Sequence, residues 1–307
     1  MTLLLIPSFG LAQESCVEEY CVDNCAPQYC CPKPCGHFFL DADFLYLRAF
    51  EGGLSCVCDG TQINDTTVGG ILVSTLEGSS EDPEFTWNPG FRLGVGYEFV
   101  NRCCDLGLYW THYYSRAGGE SDTREQKWNV DFNEVDLIYS CASQWSPFLL
   151  SIPFGGLRCA YIEQKLRTHF VSTVNGIPTI SEGNSKETFF GLGPLVGIEG
   201  DWGIGCGFSL YGNVSFALLF GRFHVRSNQT EIFTTGINRN HLRNHLDAYQ
   251  AVIDAGIGIR WTTCICCDRL LIIQLGLEEH RYFNHNQFNG YGDLSLDGLT
   301  LGVNILY

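Results

Sequence analysis

The sequence lacks any long hydrophobic run. No stretch approaches the ~18 consecutive apolar residues of a membrane-spanning helix, so such a helix is not expected. Basic residues are scarce too, with 18 lysines and arginines against 34 aspartates and glutamates and a formal net charge of −16. Without a basic stripe the chain cannot neutralise a phosphate backbone, which argues against nucleic acid as a partner.

Cysteine, in contrast, is abundant. Sixteen cysteines are too many for a protein of the reducing cytosol unless they bind metal. Residues 1–12 look like a secretory signal, with an apolar segment at Leu3–Ile6 and a small-x-small end at Gly10–Ala12. We therefore expect an exported protein. No positive residues precede the apolar segment, so we expect the natural start further upstream.

Residues 13–36 form a separate, cysteine-rich segment. Few apolar residues are available there for a core, which predicts an extended periplasmic leader held by disulfides. Zinc binding is the alternative, but the cysteine spacings lack the paired C-x-x-C pattern of zinc sites. No cofactor or metal is expected. The leader cysteines are Cys16, Cys21, Cys25, Cys30, Cys31 and Cys35.

From residue 37 the apolar residues recur with a period of two. In 249–261 every odd position is apolar, from Tyr249 to Trp261, and most even positions are polar or small. The segments 91–99, 271–277 and 299–307 repeat the pattern. Strands of this length with one apolar face can cross a bilayer at a tilt. A soluble β-sandwich also alternates, but here aromatic residues lie near the ends of the apolar faces, as they do at membrane interfaces.

The connections between the predicted strands are sorted by length, with short turns at one end and long loops at the other. Bacterial barrels are built in this way, and a sandwich has no reason to be. We therefore predict an all-β fold, a transmembrane antiparallel up-and-down β-barrel over 37–307. It has about ten strands, or twelve if 61–76 forms a hairpin. The predicted strands are 38–50, 90–100, 105–115, 128–141, 148–168, 188–200, 207–225, 246–261, 269–281 and 295–307. The predicted long loops are 51–89, 116–127, 169–187, 226–245 and 282–294.

Several segments resemble the major-outer-membrane-protein-like, pore-forming family of Legionella and Chlamydia relatives. They are Asp41–Ala49, Gly156–Gln164, Phe189–Gly200, Gly205–Asn213, Ala217–Gly221 and Asp297–Val303. The resemblance implies a bacterial outer-membrane barrel that lets small solutes diffuse through its lumen. It implies outer-membrane lipids and the barrel assembly machinery as partners. The chain end also resembles the assembly signal of such barrels, at Thr300, Gly302, Ile305 and Tyr307.

Charged residues on the polar faces are the candidate lumen lining. They are Arg92, Glu98, Glu199, Arg222, Asp254, Arg260 and Glu278. Such side chains would line a narrow pore and tune its selectivity. The alternative is a plugged barrel, because ten strands is close to the size that side chains can fill. In that case the protein would act as an adhesin through the loops 51–89 and 226–245.

Seven further cysteines are predicted at or beside the short turns, on the same side as the leader. They are Cys103, Cys104, Cys141, Cys206, Cys264, Cys266 and Cys267. They would bond to the leader, to neighbouring barrels or other cysteine-rich envelope proteins, or to each other as local staples. Spacing alone leaves these alternatives open.

The remaining polar residues give no catalytic or metal signature. The pair His241 and His245 has helical metal spacing, but we expect both in a solvated loop. His112 lies on an apolar strand face, and no nucleophile motif accompanies it. We therefore predict that the chain is not an enzyme.

Overall fold

A computed structural model describes most of the chain after residue 35. The described ranges are 36–54, 56–68, 71–81, 84–99, 103–121, 124–174, 177–233, 236–265, 269–288 and 292–307. The predicted signal segment 1–12 and the leader up to residue 35 lie outside them. Within these ranges no helix is long and apolar enough to cross a membrane.

The described residues form β-strands. In chain order these are β1 (Phe38–Glu51), β2 (Cys56–Val68), β3 (Ile71–Glu81), β4 (Glu84–Phe85), β5 (Trp87–Phe99), β6 (Cys104–Ser121), β7 (Arg124–Cys141), β8 (Ser143–Ser146), β9 (Leu149–Val174), β10 (Ile177–Gly205), β11 (Phe208–Phe233), β12 (Gly236–Ile265), β13 (Arg269–Tyr282) and β14 (Leu294–Leu306).

Ten of these strands close into one antiparallel barrel. β1 pairs with β5, and the sheet continues through β6, β7, β9, β10, β11, β12, β13 and β14. β14 then pairs with β1, from Phe39–Leu306 to Glu51–Leu294. Each of the ten predicted strands corresponds to one of these, so the predicted ten-stranded up-and-down barrel is confirmed.

The segment between β1 and β5 contains a hairpin that is not part of the barrel wall. β2 and β3 pair with each other, and β2 touches the end of β9 in parallel, at Gln62–Thr173 and Ile63–Val174. The predicted hairpin at 61–76 therefore exists, but the barrel keeps ten strands. The short strands β4 and β8 pair with β6 and β9.

Three of the predicted long loops are wrong. Residues 116–127, 169–187 and 226–245 continue the barrel strands, and the strands join through residues 122–123, 175–176 and 234–235 alone. These extensions carry polar residues on their outer face. The alternation of apolar and polar residues that identifies a strand in the sequence is therefore weak there. The described residues 283–288 and 292–293 lie in no strand, which agrees with the predicted loop 282–294.

The outer face of the barrel is apolar over a band of limited height. Along β10 the outward residues run from Phe190 to Trp202 without a charge, and both of these end residues are more than half exposed. This stretch spans ~40 Å of strand, or about 30 Å along the membrane normal after a ~40° tilt. That height matches the hydrocarbon core of a bilayer.

Above the band the outward residues become charged on every barrel strand except β5. The first ones include Arg48, Arg116, Glu163, Lys186 and Arg222. Aromatic residues lie just below, among them Tyr46, Tyr114, Tyr161, Phe190, Phe220 and Tyr249. Strands extend far beyond the band only at this end, so we assign it to the cell exterior and the short turns to the periplasm.

The last strand gives a direct test of the lipid face. Val303 points outward and Asn304 points inward, where its amide donates to Asp41 Oδ2 at 3.2 Å. Val303→Arg should cost ~2–4 kcal/mol of folding free energy, because it places a charge in hydrocarbon. Asn304→Arg should cost much less, since it faces the acidic interior. Urea unfolding in lipid vesicles compares the two, and equal losses would contradict a lipid face at Val303.

Candidate functional site: the barrel interior

Six of the seven predicted lumen residues lie inside the barrel. They are Arg92, Glu98, Glu199, Asp254, Arg260 and Glu278. Arg222 does not, and this prediction is wrong. It continues the outward face of Phe216 and Phe220 on β11 and forms an exposed ion pair with Asp247, at 2.6 Å. Its charge suggested the lumen, but the period of two along β11 places it outside.

Arg158 of β9 is the centre of a buried ionic layer across the barrel. Its guanidinium contacts Asp136 at 2.7 Å, Asp254 at 2.7 Å and Glu134 at 3.3 Å. Ser215 donates a further hydrogen bond to Asp254, at 2.6 Å. Charge-assisted hydrogen bonds of this kind hold several strands of the wall together through the lumen.

His280 joins this group to a second one around Arg92. Its ring nitrogens contact Asp254 at 2.8 Å and Glu278 at 3.3 Å. Arg92 contacts Glu278 at 3.1 Å and Asp43 at 3.0 Å. The ionic layer thus contains five carboxylates, two guanidinium groups and one imidazole, so acidic groups predominate.

A cavity of about 410 Å³ lies inside the barrel and extends from the ionic layer to the periplasmic end. Arg260 projects into it and contacts Glu199 at 2.9 Å and Asp201 at 2.8 Å. Further carboxylates on its wall belong to Asp41 and Asp105. The membrane-embedded lumen is therefore polar and rich in acidic groups.

Glycines shape the wall of this cavity. The ring of Tyr109 lies flat over Gly94, where a β-carbon would be 2.6 Å from Tyr109 Cδ1. Phe39 covers Gly96 in the same way. Because the rings lie against glycine backbone, they leave the centre of the lumen open.

An apolar layer closes the barrel directly above the ionic layer. Its side chains come from seven positions on the wall, and each is at most 1% exposed. They are Leu45, Leu47, Tyr113, Phe132, Ile162, Leu219 and Tyr282. The Tyr282 hydroxyl donates to Glu134, which fixes the two layers to each other. In this conformation no open channel passes through the layer, because the side chains fill the interior.

The loop after β13, residues 283–288, folds into the barrel above the apolar layer. His285 is fully buried and packs against Phe189 and Phe223, with ring centroids 5.5 and 5.2 Å apart. The Gln287 backbone amide donates to Glu187 at 2.9 Å, and Asn286 donates to the Gly52 carbonyl at 2.7 Å. The loop is therefore a second barrier in the lumen.

Three polar atoms around this loop have no hydrogen-bond partner among the described residues. They belong to Glu51, Glu187 and His285, and the last two approach to 3.8 Å. These groups lie above the membrane-spanning band. Burial raises the pKa of Glu187 to about 8 and lowers the pKa of His285 to about 3. Burial, and then the nearby Glu187, raise the pKa of Glu51 well above its usual value. Near neutral pH all three groups are mostly uncharged, so the loop is held without an ion pair.

The predicted turn cysteines include an intrachain bridge. Cys104 and Cys141 face each other across β6 and β7 at the periplasmic end and form a disulfide. Cys206 and Cys264 each take part in a disulfide as well. The other candidates in residues 16–35, and Cys266 and Cys267, lie outside the described residues. Of the alternatives left open by the sequence, a local staple holds for Cys104 and Cys141.

The remaining predicted residues have defined positions. Thr300 and Gly302 face the interior, and Tyr307 lies at the periplasmic end, where the Arg269 guanidinium sits 4.7 Å from its ring. His241 and His245 lie on the exposed extension of β12, where a loop was predicted. In the described part of the chain no three ligands are grouped for a metal.

Sequence reasoning missed much of the ionic layer. Asp43, Glu134, Asp136, Arg158 and His280 were not predicted. Their strands were predicted, and counting in steps of two from known outward residues would have placed all five inside. Their ion pairs form between side chains that meet across the lumen. The alternation along a single strand carries no information about such contacts.

A closed ten-stranded barrel with a lipid-facing band and a charged interior defines a multi-pass outer-membrane β-barrel protein. The model of the Legionella pneumophila major outer membrane protein precursor family matches residues 30–307. The chain belongs to this family. No curated protein is significantly similar to it in sequence.

Solved structures with a similar outline are distant. The outer membrane protease OmpT from Escherichia coli is 11% identical, with a TM-score of 0.44, over 88% of this chain and 96% of that one. A Pseudomonas aeruginosa FadL homologue is 7% identical, with a TM-score of 0.26, over 89% and 90%.

Removal of the central arginine tests the ionic layer. Arg158→Met should lower the free energy of unfolding by ~3–5 kcal/mol, because three carboxylates lose their buried counter-ion. Arg222→Met is the matched control, since its ion pair is exposed and its loss should change the stability little. Urea unfolding of the refolded barrel measures both. Similar losses would contradict a buried ionic layer.

The buried groups around loop 283–288 predict a pH dependence. Glu187 keeps its proton in the folded state up to a pKa of about 8, whereas the unfolded chain loses it near 4.5, so stability falls as pH rises between these values. His285 has a folded pKa of about 3, below its ordinary 6.5, so its contribution rises with pH up to 6.5 and is then constant. Above pH 6.5 the His285 effect no longer changes, whereas the Glu187 effect continues to pH 8.

Thermal unfolding in detergent should therefore show a midpoint that decreases from pH 6.5 to pH 8. Glu187→Gln imitates the protonated carboxyl and keeps an acceptor for the Gln287 amide, so its midpoint should fall less over this range. The same slope in both proteins would show that Glu187 does not hold a proton in the folded state.

Proposed function

We propose that the protein forms a pore for the passive diffusion of small hydrophilic solutes, and that the pore is shut in the described conformation. The observation that carries this proposal is the charged cavity of about 410 Å³ in the membrane-embedded lumen. A barrel that served only as an anchor could fill this space with apolar side chains, which is often neutral or stabilising compared with buried ion pairs. Membership of the family supports the same function.

Passage requires the two barriers above the cavity to move. The loop 283–288 is the more movable one, because it is held to the wall mainly by separate side-chain hydrogen bonds and ring contacts and not by a strand ladder. Asn284 accepts from the Gln287 side chain at 3.1 Å and Phe288 N donates to Asn286 at 2.9 Å. The wall is held to the loop mainly through Glu187, Gln250 and Gly52.

The lining predicts which solutes would pass. Carboxylates outnumber guanidinium groups around the cavity, and a ring of excess negative charge favours cations over anions. Small solutes are expected because ten strands leave little space once side chains are counted.

Conductance in planar bilayers tests the proposal. The wild-type protein should show rare openings, and replacement of residues 284–288 by a short glycine-serine link should make openings more frequent and larger, because one barrier is gone. A matched control shortens the β11–β12 hairpin by removing 231–238, whose described residues belong to the strand ends beyond the lipid band. Folded, inserted protein that conducts in none of these forms would contradict a pore.

A second function is favoured by the free edge of β12. Residues 236–250 pair with β11 on one side only, since the register with β13 begins at Val252. Within the described ranges no other strand covers this edge, and an extended segment of a partner could add to it by β-augmentation. In that case the protein would be a closed, surface-binding barrel. Folded protein without conductance would favour this function.

A structural role in a disulfide-linked envelope accompanies either function in our proposal. The cysteine-rich leader would bond to other envelope proteins or to further copies of the chain, and the barrel assembly machinery would insert the barrel through its C-terminal signal. The absence of enzymatic activity stays a prediction.

A further inference from the structure

A row of four basic side chains crosses the outer face of the barrel just above the lipid band. Lys165 of β9 is directly opposite Lys186 of β10, Lys186 is opposite Arg226 of β11, and Arg226 is opposite Arg243 of β12. All four point outward; Lys165, Arg226 and Arg243 are exposed, and Lys186 is half-buried. We call them the basic row.

This arrangement is unfavourable for the protein by itself. Directly opposite side chains of neighbouring strands lie ~5 Å apart, where like charges repel each other. Glu163 compensates one end, with contacts of 2.7 Å to Lys165 and 2.8 Å to Lys186. Arg226 and Arg243 have no carboxylate within 4 Å among the described residues, although the chain carries an excess of acidic residues.

The position of the basic row identifies the surroundings of these charges. On β11 and β12 the outward pairs run upward from Phe220–Tyr249 at the edge of the lipid band, through Arg222–Asp247 and His224–His245, to Arg226–Arg243. On β10, Lys186 lies four residues beyond Phe190, and on β11 Arg226 lies six residues beyond Phe220, which is about 10 Å and about 15 Å along the membrane normal. This is the level of lipid headgroups.

We propose that the basic row binds the phosphate groups of a phosphorylated glycolipid in the outer leaflet. Guanidinium groups bind phosphate through paired hydrogen bonds, and two neighbouring arginines offer two such forks. A phosphate between Arg226 and Arg243 would also remove the repulsion between them. The acyl chains of the same lipid would lie along the apolar band below, beside Phe220 and Tyr249.

Lipid titration of the full chain, refolded in lipid-free detergent, tests this site. Native mass spectrometry would count bound bis-phosphorylated lipid A, the same lipid after dephosphorylation, and inorganic phosphate. The double variant R226Q/R243Q should bind bis-phosphorylated lipid A at least about tenfold more weakly than wild type, and K186Q should weaken it to a smaller degree. Dephosphorylated lipid should bind weakly to all forms.

The matched control is R48Q/R281Q. These arginines also point outward above the lipid band, on β1 and β13, but each already has a carboxylate partner, Asp297 and Glu279. Their removal should leave lipid binding unchanged. Equal affinity of wild type, R226Q/R243Q and the control would overturn the proposal. Inorganic phosphate that displaces the lipid at equal concentration would also overturn it, since the site would then bind a free anion.

Discussion

Closure of the sheet is the constraint on which the rest of this structure depends. In hydrocarbon every backbone amide and carbonyl needs a partner, and a barrel provides one only if its first and last strands pair. Here β1 and β14 do so along almost their whole length. Closure with ten strands also sets the diameter, which leaves an interior that inward side chains can either fill or line.

The interior uses both solutions, at different heights. In the lower part of the membrane, glycines hold the aromatic rings against the wall, and charged side chains surround a cavity. Above it, the apolar layer and loop 283–288 fill the barrel. Buried charges cost free energy unless they are paired, which explains why Arg158 and His280 each contact more than one carboxylate. A polar cavity below a movable barrier is the arrangement from which we infer a gated pore.

Much of the fold could be predicted from the sequence, because a lipid face and an inner face give a period of two that is readable residue by residue. In 249–261 and 299–307 every outward position is apolar, and only Val252 and Leu306 break the pattern on the inner face. The extensions of β9 to β12 escaped it, because water replaces lipid on their outer side. Arg222 was assigned to the lumen because it is charged. The inward fold of loop 283–288 could not be predicted, since it depends on contacts of His285 and Gln287 with distant strands. The disulfide between Cys104 and Cys141 could be predicted only with the register of β6 and β7, which places the two cysteines opposite each other.

The quenching of one tryptophan tests the central claim that the upper lumen is sealed. Trp128 is fully buried on the inner side, where its indole donates to Gln164, whereas the other five tryptophans are exposed. A variant that keeps Trp128 and carries phenylalanine at positions 87, 110, 145, 202 and 261 isolates its fluorescence. We predict blue-shifted emission that acrylamide hardly quenches. Quenching as efficient as that of an exposed tryptophan would show that water fills the lumen at this level and would contradict a sealed upper lumen.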